Sequence, residues 1–362
     1  MGGRNHKVSV MKLTLWRDDA VLLHPAAAAA QRHDTRTRLF LRVEHEGVSG
    51  FGEVDPQPFS LNGDPGTSEV IQELDGVVLL QIQGAFEREG GLPSWTRIAR
   101  FAGSRPGSSP AVCLVEMAFL DRELRSQARS VLSLWPKTFD TPVQSTVSLV
   151  GGDDQWVLDP SVARVRVKTA PGVLGSSAMR RLASLDHPVL LDFNCSASSD
   201  ADVIDQLAQI GDSAQVVAVE QPFAPGNVVD HARLAEQIDV ALSMDEGVRS
   251  VRDLEQIARY SAASMVCVKP ARVGGYANAR TMIIRAKQLG LAPYLGGFFE
   301  SPFARRVNRL LAEHAIVEPS DIEIVRTLGG PHLDQVEAVA DGFEVAPSVQ
   351  LLETATLIAS FG

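Results

Sequence analysis

Apolar and polar positions change their period along this chain, and the changes mark out its elements. In Leu39-Phe-Leu-Arg-Val-Glu44 the alternation has period two, a turn follows at Glu46-Gly47, and Val48-Ser-Gly-Phe-Gly-Glu53 reads as the returning strand of a hairpin. Residues from about Ser68 to Glu89 and from Ser108 to Leu134 have helical spacing, and the second run stops before Pro136, which cannot continue a helix. The Ala26 to Ala30 run beside Pro25 reads as a loop or a helix start. From about Thr141 short β-rich runs alternate with helical stretches, the pattern of repeated βα units on a parallel sheet. The runs are Val143 to Leu149, Arg164 to Lys168, Pro188 to Asn194, Gln215 to Gln221, Val240 to Asp245, Met265 to Lys269 and Pro293 to Gly297, with a weaker eighth near Ala315 to Val317.

This succession predicts a closed (β/α) barrel; the alternative, a doubly wound open sheet, lacks the glycine-rich turn that would follow its first strand. A parallel barrel carries its active site at the C-terminal ends of the strands. Those ends are one-sided here. The second run ends in Lys168, the third in Asp192 with Asn194, the fourth in Glu220, the fifth in Asp245 with Glu246, and the sixth in Lys269. One charged residue after a strand is ordinarily the solvated start of a loop, but that reading does not cover five strands in succession.

Asp192, Glu220 and Asp245 lie on three consecutive strands, so a barrel gathers them on one side of its mouth. Three close carboxylates stay ionised together only beside a cation, and an all-oxygen site completed by water and substrate suits Mg²⁺, with Mn²⁺ the nearest substitute. Zinc would favour His or Cys, and His187 precedes the third strand at the opposite face. Lys168 and Lys269 come from strands that flank the acidic ones, which points to work on both faces of one substrate carbon. Burial and a neighbouring cation favour the neutral amine that a lysine base requires. The alternative role for the pair is as counter-ions to the acidic cluster.

Composition narrows the partners. The 362 residues are 45% hydrophobic, enough for a large core. A formal net charge of -10 without a Lys/Arg run excludes a phosphate-neutralising surface, so nucleic acid is not expected. No stretch approaches the roughly 20 consecutive apolar residues of a membrane span, and Met1 to Lys12 is too polar for an export signal. The scattered thiols Cys113, Cys195 and Cys267 indicate neither a disulfide framework nor a thiolate zinc site, and fit a reducing cytoplasm.

Several motifs together resemble the enolase superfamily: Arg166-Val-Lys168 in place of Lys-x-Lys, Asp192-Phe-Asn194, Val219-Glu-Gln-Pro222, Met244-Asp-Glu246, Val268-Lys-Pro-Ala-Arg-Val-Gly-Gly275, and Gly296-Gly-Phe-Phe-Glu-Ser-Pro-Phe-Ala-Arg305. That superfamily is a standard example of lysine or histidine bases working with Mg²⁺. Lysines in the catalytic places are similar to the muconate-lactonising subgroup, and the last two motifs are most similar to o-succinylbenzoate synthases and N-acylamino-acid racemases. The resemblance implies a (β/α)7β TIM-like barrel with an N-terminal α+β capping domain: residues 1–135 as the cap with its helix leading to the barrel, 136–325 as the barrel, and 326–362 as a segment returning to the cap. It implies Mg²⁺ on Asp192, Glu220 and Asp245, Lys168 as the base that removes the α-proton of a small carboxylate substrate, and Lys269 facing it. Glu246 would orient a lysine, Asn194 would steady a metal ligand, and Gly297, Glu300 and Ser301 would lie near the substrate. The loop from His24 to Arg36 is a candidate specificity lid, with His33, Asp34 and Arg36 as candidate contacts.

Arginine at 166 keeps a cation but cannot act as a base, and period two still points it toward the site. The stretch from Glu318 to Asp341 lacks an expected aromatic, and the cap looks shortened around Pro25 to Arg36, which together point to a substrate unlike the best-known ones. The leading expectation is a dehydration of the o-succinylbenzoate synthase type. The alternatives are racemisation of an N-acylated amino acid, dipeptide epimerisation, a muconate cycloisomerase-type reaction and, from another class, a non-catalytic carboxylate-binding scaffold. Homo-oligomers are common among barrel enzymes of this size.

Overall fold

The computed structural model describes residues 10–28, 31–100, 109–136, 144–150, 162–315, 318–322 and 336–361. The chain begins with an antiparallel sheet of β1 (Met11–Ala28), β2 (Gln31–His45) and β3 (Val48–Val54). The turn from β2 to β3 sits where the polarity pattern puts it. Glu46 and Gly47 both have positive φ, 54° and 76°, the two-residue geometry whose twist matches that of paired strands. The alanine run behaves otherwise. Ala26 to Ala28 continue β1 and pair with Gln31 to His33, so the described part of the expected loop or helix start, and of the expected lid from His24 to Arg36, belongs to two long antiparallel strands, while residues 29–30 lie outside the described residues. Alanine carries no periodic signal of its own, and the paired strand decides its conformation.

The helical run Ser68 to Glu89 appears as α1 (Thr67–Glu73) and α2 (Leu79–Glu89), joined by one wide π-turn at Leu74–Val78. After α3 (Trp95–Ile98) comes α4 (Ser109–Ser126), buried along most of its length and shorter than its hydrophobic run predicts. Ala128 turns left-handed, φ 49°, and only a short 3-10 turn at Val131–Ser133 follows. β3 lies directly on α4, and glycine makes that approach feasible. A Cβ at Gly50 or Gly52 would overlap the helix backbone at Ala118 or Leu114.

Seven parallel strands follow, in sequence order across one sheet: β4 (Thr146–Val150), β5 (Arg164–Lys168), β6 (Val189–Asp192), β7 (Val216–Glu220), β8 (Ala241–Met244), β9 (Met265–Val268) and β10 (Ala292–Leu295). Between them run α5 (Ser176–Ala183), α6 (Asp200–Ile210), α7 (Val228–Ala235), α8 (Val251–Tyr260), α9 (Pro270–Val273) and α10 (Tyr276–Gln288), with α11 (Pro302–Ala315) after β10. The eighth β-position is not where the apolar run suggested. Ala315 ends α11, residues 316–317 lie outside the described residues, and the closing segment is Ser320–Ile322. The Ser320 carbonyl accepts from Thr146 N at 2.8 Å, its Oγ accepts from Leu295 N at 3.0 Å, and Asp321 N donates to Leu295 O at 2.8 Å. These bonds link the two edges of the curled sheet in a TIM-like arrangement.

Alternate strand residues serve different layers, as a pleat requires. Val189 and Leu191 join the main core, while Leu190, Ala218, Met265, Cys267 and Tyr294 form a second cluster. Past the barrel, β11 (Val336–Ala338) pairs with β12 (Val345–Pro347), α12 (Val349–Thr354) follows, and β13 (Thr356–Phe361) pairs with β1, Phe361 opposite Leu13. Asp121 of α4 ties this return to the first sheet, accepting from Phe51 N at 2.9 Å and Phe343 N at 3.0 Å. Glu116 of α4 ties the first unit to the barrel by accepting Tyr276 N at 2.6 Å and Ala277 N at 2.9 Å. Among the described residues no helix is long and apolar enough to cross a membrane.

Candidate active site at the strand ends

The register of the sheet aligns the charged residues across the mouth. Lys168 on β5 lies opposite Asp192 on β6, and Asp192 opposite Glu220 on β7. Asp245 follows β8 and Lys269 follows β9, so the two lysine-bearing strands flank the three acidic ones in the sheet order. The three carboxyl groups are wholly buried.

The backbone beyond these strands is bent to hold them. Asn194, Cys195 and Gln221 have left-handed φ of 43°, 66° and 39°, a concentration of strain of the kind that surrounding structure must enforce. Gln221 is one reason it persists: its Oε1 accepts from Asp245 N at 2.9 Å and Gly247 N at 3.1 Å, fixing the turn after β8. Asn194 N donates to Asp192 Oδ1 at 3.0 Å, and the Asn194 side chain bridges Lys168 Nζ, 3.4 Å, and Glu246 Oε1, 3.3 Å. Asn194 thus links Glu246 to Lys168 through its amide.

The carboxylates differ in how their charge is met. Asp192 Oδ2 and Glu220 Oε1 are buried and accept no hydrogen bond; the nearest cation to the first is Lys168 Nζ at 3.9 Å. Burial raises the Asp192 carboxyl, against Lys168 and Arg166, and pushes Glu220 up to about 7, against Arg166 and with Asp192 and Asp245 adding to the rise. At Asp245 burial is outweighed: Arg272 donates to Oδ1 and Lys269 Nζ to Oδ2 at 2.7 Å, and the carboxyl is held far below its ordinary range. Burial alone would lower Lys269, but Asp245 raises it, so its head is an ammonium, 4.8 Å from the Phe298 ring centre.

Two aspects of this chemistry, Tyr294 and Cys267, are hidden in the sequence pattern. Tyr294 inside the sheet donates to Glu220 Oε2 at 2.6 Å and accepts from Ser243 Oγ at 2.8 Å. Cys267, two residues before Lys269, comes within 4.8 Å of the ligand atoms of Glu220 and Asp245, and its soft sulfur suits a hard cation less well than their oxygens do. Arg166 points inward as period two requires, 3.5 Å from Glu220 Oε2 and 3.9 Å from Asp321 Oδ2, contacts too long for hydrogen bonds and close enough to balance charge.

The residues after β10 are mostly engaged. Ser301 N donates to Glu53 Oε1 at 2.6 Å and Ser301 Oγ to Oε2, so Ser301 links β3 to the barrel. Glu300 Oε1 accepts from Phe298 N at 2.8 Å, and Oε2 lies 3.2 Å from Arg305 Nε. At Gly297 a Cβ would stand 2.7 Å from Glu300 Oε2, so a larger residue there would displace the Glu300 and Arg305 side chains. Arg36 is buried, donates to Gln57 Oε1 at 2.8 Å and stacks 4.1 Å from the Phe299 ring centre; the side chains of His33 and Asp34 lie outside the described residues.

The acid-lined strand ends are matched by a family model described as "Enolase C-terminal domain-like", which covers residues 165–347, just over half of the chain. The chain belongs to the enolase superfamily. It is 31% identical over 295 residues to an o-succinylbenzoate synthase of Enterococcus faecalis, with 78% of each chain covered. It is 28% identical over 284 residues to an N-succinylamino acid racemase of Amycolatopsis, covering 72% of this chain and 74% of that one. A solved enolase-superfamily structure from Listeria innocua superimposes with a TM-score of 0.76 at 21% identity, over 97% of this chain and 98% of the other. The relatives in this enolase superfamily are enzymes that work by different reactions on one scaffold.

The donor set fits a hard divalent cation. Asp192 Oδ2 and Glu220 Oε1 are buried oxygens without a donor, and burial raises both carboxyls despite Lys168 and Arg166 beside Asp192 and Arg166 beside Glu220. Oxygen ligands few in number, with room for water and substrate, are those that Mg²⁺ takes.

Proposed function

We propose that this protein removes the proton α to a carboxylate of a small substrate, with Mg²⁺ held by Asp192, Glu220 and Asp245, and completes a dehydration of the o-succinylbenzoate synthase type. The observation that carries the reading is the sheet order, in which Lys168 on β5 and Lys269 after β9 flank three buried carboxylates. Mg²⁺ supplies positive charge where the substrate carboxylate gains electron density.

Lys168 has no carboxylate as close as the one that holds Lys269, 3.9 Å to Asp192 against 2.7 Å to Asp245, so it takes the base's role: it removes the α-proton and returns it to the leaving hydroxyl. Lys269, held as an ammonium by Asp245, stands against the opposite face of the carbanion and stabilises it. Residues 1–135 act as a cap over the mouth, 136–325 as the barrel and 326–362 as the segment returning to the cap. Glu246, Asn194, Gly297, Glu300 and Ser301 shape the site around the substrate, and the protein works as a homo-oligomer in the cytoplasm.

Racemisation of an N-acylated amino acid is the second reading, favoured by a lysine on either side and by the named activity of the Amycolatopsis relative. The test is Mg²⁺-dependent α-proton exchange in D₂O with N-acylamino acids, dipeptides and the cyclohexadiene precursor of o-succinylbenzoate. Loss of water supports dehydration, exchange without it supports racemisation, and exchange that survives Lys168→Ala removes the assigned base.

A further inference from the structure

Between β3 and α1 the chain makes a tight turn at Leu61-Asn62-Gly63-Asp64. Leu61 and Asp64 exchange backbone hydrogen bonds of 3.0 and 2.8 Å, and the two central residues have positive φ, 50° and 85°. Its tip reaches across to the barrel mouth. Asn62 Nδ2 donates to Asn194 O at 3.3 Å, and Arg249 donates to Asn62 O at 2.9 Å and Asp64 Oδ1 at 3.0 Å.

Asp64 then takes two edges of Arg272, Nε to Oδ1 at 2.9 Å and NH2 to Oδ2 at 2.7 Å, while the third nitrogen, NH1, faces Asp245 and donates to its carbonyl at 3.0 Å and to Oδ1. Arg272 is buried, so its charge is divided between these two carboxylates. A guanidinium and a divalent cation compete for Asp245. The more of the guanidinium that Asp64 holds, the less of it neutralises Asp245.

We propose that Asp64 is a positioning residue for the cation site: gripping Arg272 from the Asn62–Asp64 turn, it leaves Asp245 available to Mg²⁺ and makes cation affinity depend on docking of that turn. This rests on the assignment of Mg²⁺ to Asp192, Glu220 and Asp245. Nothing in it requires Asp64 to touch the metal or the substrate.

The experiment is Mg²⁺ titration by calorimetry on the full chain. Asp64→Asn weakens binding about tenfold, the equivalent of about 1.4 kcal/mol, and Asp64→Glu restores most of it. In an Arg272→Met background Asp64→Asn changes the dissociation constant less than about twofold, because Asp64 acts through Arg272. Arg249→Gln, which frees the Asn62 carbonyl and so loosens docking of the turn, weakens binding about threefold, the scale of one part-exposed pair, and stands in should Asp64→Asn not fold. Unchanged affinity in Asp64→Asn, or an equal loss in the Arg272→Met background, overturns the proposal. Wild-type protein that binds no Mg²⁺ overturns the metal assignment, and the proposal with it.

Discussion

Glu116 on α4 offers a sharp quantitative test, because one buried carboxyl joins the N-terminal unit to the barrel. It receives Tyr276 N and Ala277 N at the start of α10, and Gly275, φ 121°, precedes them because a Cβ there would overlap the carboxyl. Replacing it with Ala strands two buried N–H groups at about 1–3 kcal/mol each, so about 3 kcal/mol is expected after partial relaxation. The ionisation adds a second signature. Burial pushes the Glu116 carboxyl up to about 7 from 4.5, against the two backbone hydrogen bonds. The folded protein then holds this proton more tightly than the unfolded chain. The resulting stability is complete below pH 4.5 and is lost as pH rises through 7, a change of about 3 kcal/mol at about 1.4 kcal/mol per unit. Glu116→Gln keeps an acceptor but does not titrate, so the gap between wild type and Gln moves toward Gln by that amount from pH 4.5 to 8. Urea unfolding followed by tryptophan fluorescence measures it, with Trp135 stacked 5.8 Å from Tyr276 as a local reporter. A gap constant across that range refutes the burial argument, and an Ala variant as stable as wild type refutes the capping role.

Three further outcomes follow from other buried groups. Arg166→Met leaves Glu220 without its arginine, while Asp321 keeps Arg305 at 3.0 Å, so Mg²⁺-free protein loses about 3 kcal/mol and saturating Mg²⁺ recovers part of it, as paired melting curves with EDTA and with Mg²⁺ would record. Asp55 is buried with neither carboxyl oxygen hydrogen-bonded, and burial raises its carboxyl well above the usual range despite Arg36. Its raised value favours the fold at low pH and is lost as pH rises, so Asp55→Asn is the more stable form at pH 8 by about 1 kcal/mol, with a smaller difference at pH 5 in urea titrations. Gly52→Ala forces β3 away from α4 and destabilises by about 3 kcal/mol; a melting temperature within two or three degrees of wild type, roughly the shift that 1 kcal/mol gives a chain of this size, would contradict the close approach.

The barrel strands from the second to the sixth are legible because each is a short apolar run with a charged residue at its end, and Lys168, Asp192 and Glu220 are the last residues of their strands. The inner wall is less readable. Tyr294 and Cys267 look like core residues in an alternating run, and only the curling of the sheet turns Tyr294 onto Glu220. Asp64 is silent for another reason: its partner Arg272 is 208 residues away, and a turn motif such as Asn62-Gly63 predicts a turn and says nothing of what its tip meets. Ser301 reads as a pocket residue, and the hydrogen bonds it donates to Glu53, which join two units, could not be read from the pattern. In each case a long-range pairing decides the role.

The pairing of β13 with β1 also sets an order of events. Until Thr356–Phe361 are available, β1 presents an open edge of unpaired N–H and C=O groups, a template for pairing with other chains. The whole barrel is synthesised during that interval, so the first sheet waits through translation with one side uncovered. A nascent chain halted before β13 should therefore be the form most apt to aggregate and most in need of a chaperone.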